Sequence, residues 1–331
     1  MTGYIVRRLI SAALVVVLSS MAVFALFFLG PRNAAQPLCS LNGKCTPEKL
    51  AILTEQLGLN DSVVNQYGIW LKGLFVDRQI TFGPTFNCEA PCLGISYSTR
   101  REVTAELFDK LPATISVAIG GGILYLALGV VLGVLAARYR GSWIDRGLVA
   151  GSLVVYSIPP YVVFLVAWIF LSLTWEIFPD TRYHPITEGV GPWFMGLLLP
   201  WLCLALTNST TYARFTRGQM VESLSEDYIR TAKAKGVRER KVLFKHALRA
   251  AIVPVITLFG LDFAFLLTGT IFLEQIFDID GIGRWGILAL RDPIDFPVVS
   301  ATVLVAAVII VLANLLVDFL YSVIDPRVRL A

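Results

Sequence analysis

The sequence predicts an all-α integral membrane protein with six transmembrane helices and an external helical cap after the first. Two observations carry that prediction. Of 331 residues, 56% are hydrophobic and only 16% charged, with a mean hydropathy of +0.70, which is too apolar for a soluble domain of this size. The apolar residues also fall in long runs: Leu9–Leu29, Leu111–Ala137, Gly147–Trp175, Gly189–Ala213, Ala250–Leu273 and Phe296–Ile324. Each exceeds the roughly 20 residues that cross about 30 Å of hydrocarbon at about 1.5 Å per residue. The runs lack the alternation of membrane strands, and open sheet edges do not survive in lipid.

The first span, within residues 1–30, follows Arg7 and Arg8. It reads as an uncleaved anchor, because the run is longer than a signal-peptide core and GPRNAAQP offers no A-x-A cleavage site. Residues 31–110 form a cysteine-containing extracytoplasmic cap. Thr46 caps a helix, Pro47 suits its first position, Leu50, Leu53 and Leu57 give it an apolar face, and Gly58 ends it. A second helix runs from Asp61 to Val76 and a third from Thr104 into Pro112. The cap is either a platform for a partner or a lid over the first helix. Cys39, Cys45, Cys88 and Cys92 lie in it, and an even number outside the cytoplasm points to two disulfides with three connectivities open. Local pairs close the smallest loops, whereas crossing pairs would tie the segment's ends together. A zinc site is the other option, although C-x5-C and C-x3-C are unusual spacings for one. Cys203, inside an apolar run, reads as packing.

Residues 111–324 hold the other five spans, with a connecting loop at 214–251, and 325–331 form a tail. Gly122, Gly129 and Gly133 lie mainly on one side of the second span and allow close helix approach. Ser157, Ile158, Pro159 and Pro160 interrupt the third span, as a kink or a gate hinge. Asp262, in the middle of the fifth, either lines a wet pathway or bonds a polar group on a neighbouring helix. Asn314 and Asp318 share a face of the sixth and read as packing contacts. Gly281, Gly283 and Gly286 occupy the loop between spans five and six. Orientation follows from where Lys and Arg sit: Arg138, Arg140 and Arg146 between spans two and three, a run from Arg214 to Arg249 between four and five, and Arg327 and Arg329 at the end. The alternate loops hold only Arg182, or Arg284 and Arg291. Both termini are therefore expected in the cytoplasm of a cell with this chain in its cytoplasmic membrane.

The stretch 222–254, ESLSEDYIRTAKAKGVRERKVLFKHALRAAIVP, is the most distinctive. Ser223 and Glu226 match a capping box, Glu226 and Asp227 suit the positive end of a helix, and Lys233 and Lys235 suit its last turn. Gly236 can take the left-handed conformation that ends it. A capped amphipathic helix in the loop of a membrane protein reads as a docking element.

In that stretch Arg230, Thr231 and Ala232 occupy the places of E-A-A and Gly236 the later glycine, a pattern that resembles the EAA loop of ABC importer permeases. The runs KHALRAAIVP, TIFLEQIFDIDGIGRWG, LLVDFLYSVIDPRVR, EQLGLNDSVVNQYGIWLKGL and ELFDKLPATISVAIGG resemble the first permease of dipeptide and oligopeptide importers. The resemblance implies a type I ABC importer permease fold. It implies a coupling helix at 223–236 whose Ser223, Glu226, Asp227, Tyr228, Arg230, Thr231, Ala232, Lys235 and Gly236 meet an ATPase, and a gate loop around Gly281 and Gly283 at the outer mouth. It also implies a second, similar permease, two cytoplasmic ATPase subunits carrying ATP and Mg, and an extracytoplasmic peptide-binding protein. This chain departs from the family's pattern in GPRNAAQP, in the NCEAPC insertion and in Asp280, which stands where a proline is common.

The chemistry missing from the sequence is informative too. No G-x-x-x-x-G-K-[ST] phosphate loop occurs, and Gly120–Gly122 lie inside a span without the lysine, so no ATP hydrolysis and no cofactor are expected on this chain. No metal cluster is evident; His246 reads as a structural contact and His184 as solvated. The net charge of +4 reflects topology and no nucleic-acid motif is present, leaving membrane lipid and the importer subunits as partners. Two other classes stay open, an ion-coupled secondary transporter relying on Asp262 and a non-transporting sensor or assembly protein with a ligand-binding cap. The cargo stays open among dipeptide, longer peptide, nickel complex and other small solutes.

Overall fold

The computed structural model describes residues 2–28, 35–41, 43–81, 84–268 and 270–324. The chain packs as two compact units, Met1–Thr114 with Asp280–Leu312, and Ile115–Ile279 with Ala313–Ala331.

The first unit begins with α1 (Thr2–Phe28), followed by the short helices α2 (Gln36–Leu41), α3 (Pro47–Gln56) and α4 (Val63–Gly73). Thr46 caps α3 by accepting from the Lys49 amide at 3.4 Å, Pro47 fills the first turn, and Gly58 takes φ +66° beyond its end. The reading of the second cap helix as 61–76 is trimmed at both ends, because Ser62 is the N-cap. A short antiparallel hairpin, β1 (Arg78–Thr81) and β2 (Thr85–Cys88), pairs Arg78 with Cys88 and Thr81 with Thr85. Helical periodicity gave no sign of it, although Ile80, Thr81, Thr85 and Phe86 are β-branched or aromatic. The cysteines pair locally, Cys39 with Cys45 and Cys88 with Cys92. Cys88 and Cys92 pack with Leu38 and Ile95 in a small core.

The start of α5 (Val103–Arg138), α13 (Ile282–Ala289) and the start of α14 (Phe296–Ile324) build the larger core of this unit around Val103, Leu107, Trp285, Val298 and Ala301. The third cap helix and the second span are thus one helix of 36 residues that continues through Pro112. Polar ties hold the 94–102 loop to the segment before α14. Asp295, almost fully buried, accepts from Ser96 Oγ at 2.6 Å, Ser98 Oγ at 2.8 Å and the Ser98 amide at 3.1 Å.

In the second unit, α6 (Trp143–Ser157) and α7 (Pro160–Ala167), with a π turn at Trp168–Thr174, meet at an angle of 89°. Ile158 is extended, with φ −87° and ψ 125°, as the residue before a proline must be, and Pro159 has no amide to continue the ladder. The helix α8 (Val190–Ser225) follows, then α9 (Asp227–Ala234). A continuous rod comes next, made of α10 (Glu239–Lys241), a π turn and α11 (Leu248–Leu267), then α12 (Ile271–Ile276), and the end of α14 from Ala313 also belongs to this unit. By length and composition Val103–Arg138, Val190–Ser225, Glu239–Leu267 and Phe296–Leu315 can each cross a membrane, and the bent α6–α7 pair makes a fifth span if taken as one. In α1 the apolar stretch is the shorter Ile10–Ala25.

Glycines on α5 set how close α8 comes. A Cβ built on Gly129 would lie 2.3 Å from Tyr212 Cβ and 3.1 Å from the Ser209 carbonyl oxygen, and one on Gly133 would lie 2.7 Å from the Ala213 carbonyl oxygen. The sequence places Gly122 on the same side, yet it faces Phe259 and Phe263 of α11. Gly120 and Gly121, read only as a failed phosphate loop, are packing positions against Trp201 and Leu204. Gly129→Val is expected to force α5 from α8, at a cost of about 1–3 kcal/mol for overpacking. Thermal unfolding in detergent checks this: Gly129→Val should melt well below the wild type, while valine at exposed Gly218, which meets nothing within 4 Å, should shift the melt much less.

Candidate functional site: the α9 surface and the polar pairs behind it

The helix α9 has eight residues, DYIRTAKA, and two of its devices are built from sequence. At its end the Gly236 amide donates to the Lys233 carbonyl at 2.9 Å and the Val237 amide to the Ala232 carbonyl at 3.2 Å. This is a Schellman motif, and it requires the left-handed Gly236, whose φ is +73°. At its centre Ile229, fully buried, packs with Val134, Met220, Val242, Leu243 and Ala247. Asp227, Tyr228, Arg230, Thr231, Lys233 and Lys235 are exposed. One apolar side chain therefore seats the helix while its polar face points outward.

The capping box is not formed. Ser223 belongs to the last turn of α8, and Glu226 is itself the N-cap of α9, with no side-chain capping bond. The helix thus spans 227–234, shorter than the 223–236 read from sequence. Buried Ser223 donates its one hydroxyl hydrogen to the Ala247 carbonyl at 3.1 Å, so the 2.8 Å contact with Tyr228 is a bond donated by the phenol. Ser223 and Tyr228 thereby tie α8, α9 and the π turn before α11 together. Thr231 Oγ1 bonds the Asp227 carbonyl at 3.0 Å, and Arg230 pairs with Asp227 at 3.3 Å on the open face. That exposed pair adds little to stability.

An ion pair joins α6 to α8. Arg217 of α8 grips Asp145 of α6 in a fork, with one arm at 2.8 Å, and the Gly141 amide donates to the same carboxylate at 2.9 Å. Asp145 is 4% exposed. The available signal was an arginine four residues past the apolar run, facing an acid just after the Ser142 N-cap.

Further along, Asp262 of α11 accepts from Tyr212 of α8 at 2.7 Å, and Tyr212 packs against Tyr125 and Phe259 at ring distances of 5.0 Å and 6.4 Å. Asp262 is half-buried. In the first unit, Gly281 and Gly283 lie in the connection between spans five and six, which here contains a short helix. Gly281 is the N-cap of α13 and Gly283 is buried inside it. The Ile282 amide donates to Thr114 Oγ1 at 2.8 Å, and Lys110 pairs with Asp280 at 2.7 Å. His184, expected to be solvated, contacts Asp180 at 2.7 Å. Cys203 is buried and free, His246 is half-buried at the π turn, and Asn314 lies on α14; the side chain of Asp318 lies outside the described residues. Among the described residues no group of three or more His, Cys, Asp or Glu could hold a metal.

Long apolar helices, bundled on a glycine face and carrying a short amphipathic helix at a break between two of them, define a multi-pass membrane subunit. Residues 129–330 match the family described as binding-protein-dependent transport system inner membrane component, and residues 1–118 match its N-terminal region. The chain belongs to this family, the permeases of type I ABC importers, and resembles the peptide branch. It is 35% identical to a protein of Sinorhizobium fredii named as a peptide ABC transporter permease, over 98% of this chain and 99% of the relative. It is 34% identical to the dipeptide transport system permease protein of Escherichia coli K12, over 99% of both chains. A protein of the same name from Alkalihalophilus pseudofirmus is 34% identical over 99% of this chain and all of its own.

Removing one member of the Asp145–Arg217 pair leaves the other charge uncompensated, and Asp145→Ala should destabilise by about 3 kcal/mol. A double-mutant cycle with Arg217→Ala, followed by chemical unfolding, should show the two losses to be less than additive.

Proposed function

We propose that this chain is one of two permease subunits that carry di- or oligopeptides across the cytoplasmic membrane, driven by ATP hydrolysis on separate subunits. The reading has both termini in the cytoplasm, the 31–110 segment outside, and six crossings, with α1 and the bent α6–α7 pair each counting as one. One of two ATPase subunits bearing ATP and Mg docks on α9 and the other on the second permease, and a peptide-binding protein delivers cargo from the outer face. The peptide cargo rests on what the similar permeases are named for.

The observation that carries the reading is the mounting of α9. Its exposed face presents Tyr228, Arg230, Thr231, Lys235 and Gly236, while Ile229 fixes it to side chains from α5, α8 and the rod leading into α11. Force applied by an ATPase at that face passes into the spans through packed atoms. Switching a two-state transporter from 1:99 to 99:1 takes about 5.5 kcal/mol of differential interaction, so the link must be stiff. The Tyr212–Asp262 pair sits where α8 and α11 meet, and the reading gives Asp262 a place on the pathway wall. Gly281 and Gly283 belong to a gate element at the outer mouth, held at Thr114 and Lys110.

Gly236→Val tests the coupling. A Cβ there meets nothing within 4 Å, so the substitution strains the backbone without a clash, and the Schellman end should open. Expression and membrane insertion should stay normal, the ATPases should still hydrolyse, and peptide uptake should fall at least tenfold. Normal uptake would remove α9 as the coupling element. Topology is tested separately by applying an impermeant thiol reagent to intact cells after reduction. Cys45, the exposed member of its pair, should be labelled without breaking the membrane, and its labelling only in broken cells would invert the orientation.

A further inference from the structure

The first unit holds a cavity of about 360 Å³ between α1, the 56–97 region and the start of α14. Phe24, Trp70, Ile69, Leu93 and Phe296 give it largely apolar walls, and Arg78 is the single charged residue in the lining. Arg78 is half-buried, its Nε donates to the Cys92 sulfur at 3.0 Å, and it forms no ion pair among the described residues. A disulfide sulfur is a weak acceptor, so this cation gives up water without gaining an anion. Burial accordingly holds its pKa below the ordinary guanidinium value. Gln66, also in the lining and only 8% exposed, donates from Nε2 to the Asp61 carbonyl at 2.8 Å, while its Oε1 has no hydrogen-bond partner among the described residues.

We propose that this cavity binds a phospholipid, with the headgroup phosphate on Arg78 and an acyl chain along Phe24, Trp70 and Phe296. A cation, a neighbouring acceptor for a headgroup hydroxyl or ammonium, and apolar walls together suit an anionic amphiphile; a small water-soluble anion has no use for those walls. The source is the bilayer, because the walls include the last turns of α1 and the first turn of α14, both apolar helices that enter the membrane. Phe24, Tyr67 and Trp70 cluster there, with Tyr67 at 5.5 Å and 5.9 Å from the other two rings. The amphipathic rings of tyrosine and tryptophan gather at headgroup depth. The lipid would bridge α1 to the disulfide-bonded hairpin through Arg78.

The full chain, purified in mild detergent and stripped of lipid, is titrated with dioleoylphosphatidylglycerol and with dioleoylglycerol, which lacks the phosphate, and bound lipid is counted by native mass spectrometry. The wild type should hold one phosphatidylglycerol at least tenfold more tightly than dioleoylglycerol. Arg78→Gln should lose that preference and Arg78→Lys should keep most of it, with the Cys88–Cys92 bond mapped in each variant to verify the fold. Ser300→Trp, which fills the cavity and spares the charge, should weaken both lipids. Equal binding of the two lipids by the wild type, an unaltered preference in Arg78→Gln, or no stoichiometric lipid at all would overturn the proposal. So would displacement of the lipid by a short peptide with a free carboxylate.

Discussion

An eight-residue helix does not persist in water by itself, since isolated helices below about 12–15 residues are marginal. Everything assigned to α9 depends on the packing that holds it: Ile229 buried among side chains of three neighbouring helical segments, the Gly236 turn behind it and the Ser223–Tyr228 bond at its start. Propensity does not suffice here, because Arg230, Ala232, Lys233 and Ala234 favour a helix but eight residues are too few to hold one in water. Tertiary contact makes the helix.

Behind α9 the second unit is stiffened by close approach. Where α5 presents Gly129 and Gly133, its backbone lies against α8 at Ser209, Ala213 and Thr216, so van der Waals contact replaces the hydrophobic drive that lipid does not supply. Polar pairs then fix register between helices: Asp145 with Arg217 joins α6 to α8, and Tyr212 with Asp262 joins α8 to α11. A buried pair of this kind gives little net stability, and its better-attested use is to select one arrangement of helices. The sharp break at Ile158 and Pro159 occurs in the same unit, inside the bent α6–α7 pair.

Much of this was legible in the chain. Long apolar runs gave four of the spans and the bent pair because lipid leaves a helix few alternatives, whereas the apolar stretch of α1 is shorter than the run read from sequence; Thr46, Pro47, Gly58 and Gly236 announced helix ends because their backbone preferences are local. The proline pair announced the break for the same reason. What failed was whatever depends on a distant neighbour. Ser223 matches a capping box by spacing, but it is claimed by Tyr228 and the Ala247 carbonyl, so α8 runs on through it. The hairpin at 78–88 is short and flanks a disulfide, leaving no periodic signal to find. Gly281 and Gly283 read as loop glycines, yet they start a short helix, where their neighbours Ile282 and Asp280 bond Thr114 and Lys110. Asp145 and Arg217 lie 72 residues apart, and nothing local pairs them.

The central claim is that Ile229 mounts α9 on the spans, and amide hydrogen exchange combined with uptake in the assembled transporter tests it most directly. In Ile229→Ala the amides of 229–237 should lose protection while those of α8 and α11 keep theirs, and uptake should fall although the partner ATPases still hydrolyse ATP. Unchanged protection across 229–237, or lost protection with undiminished uptake, would contradict the account.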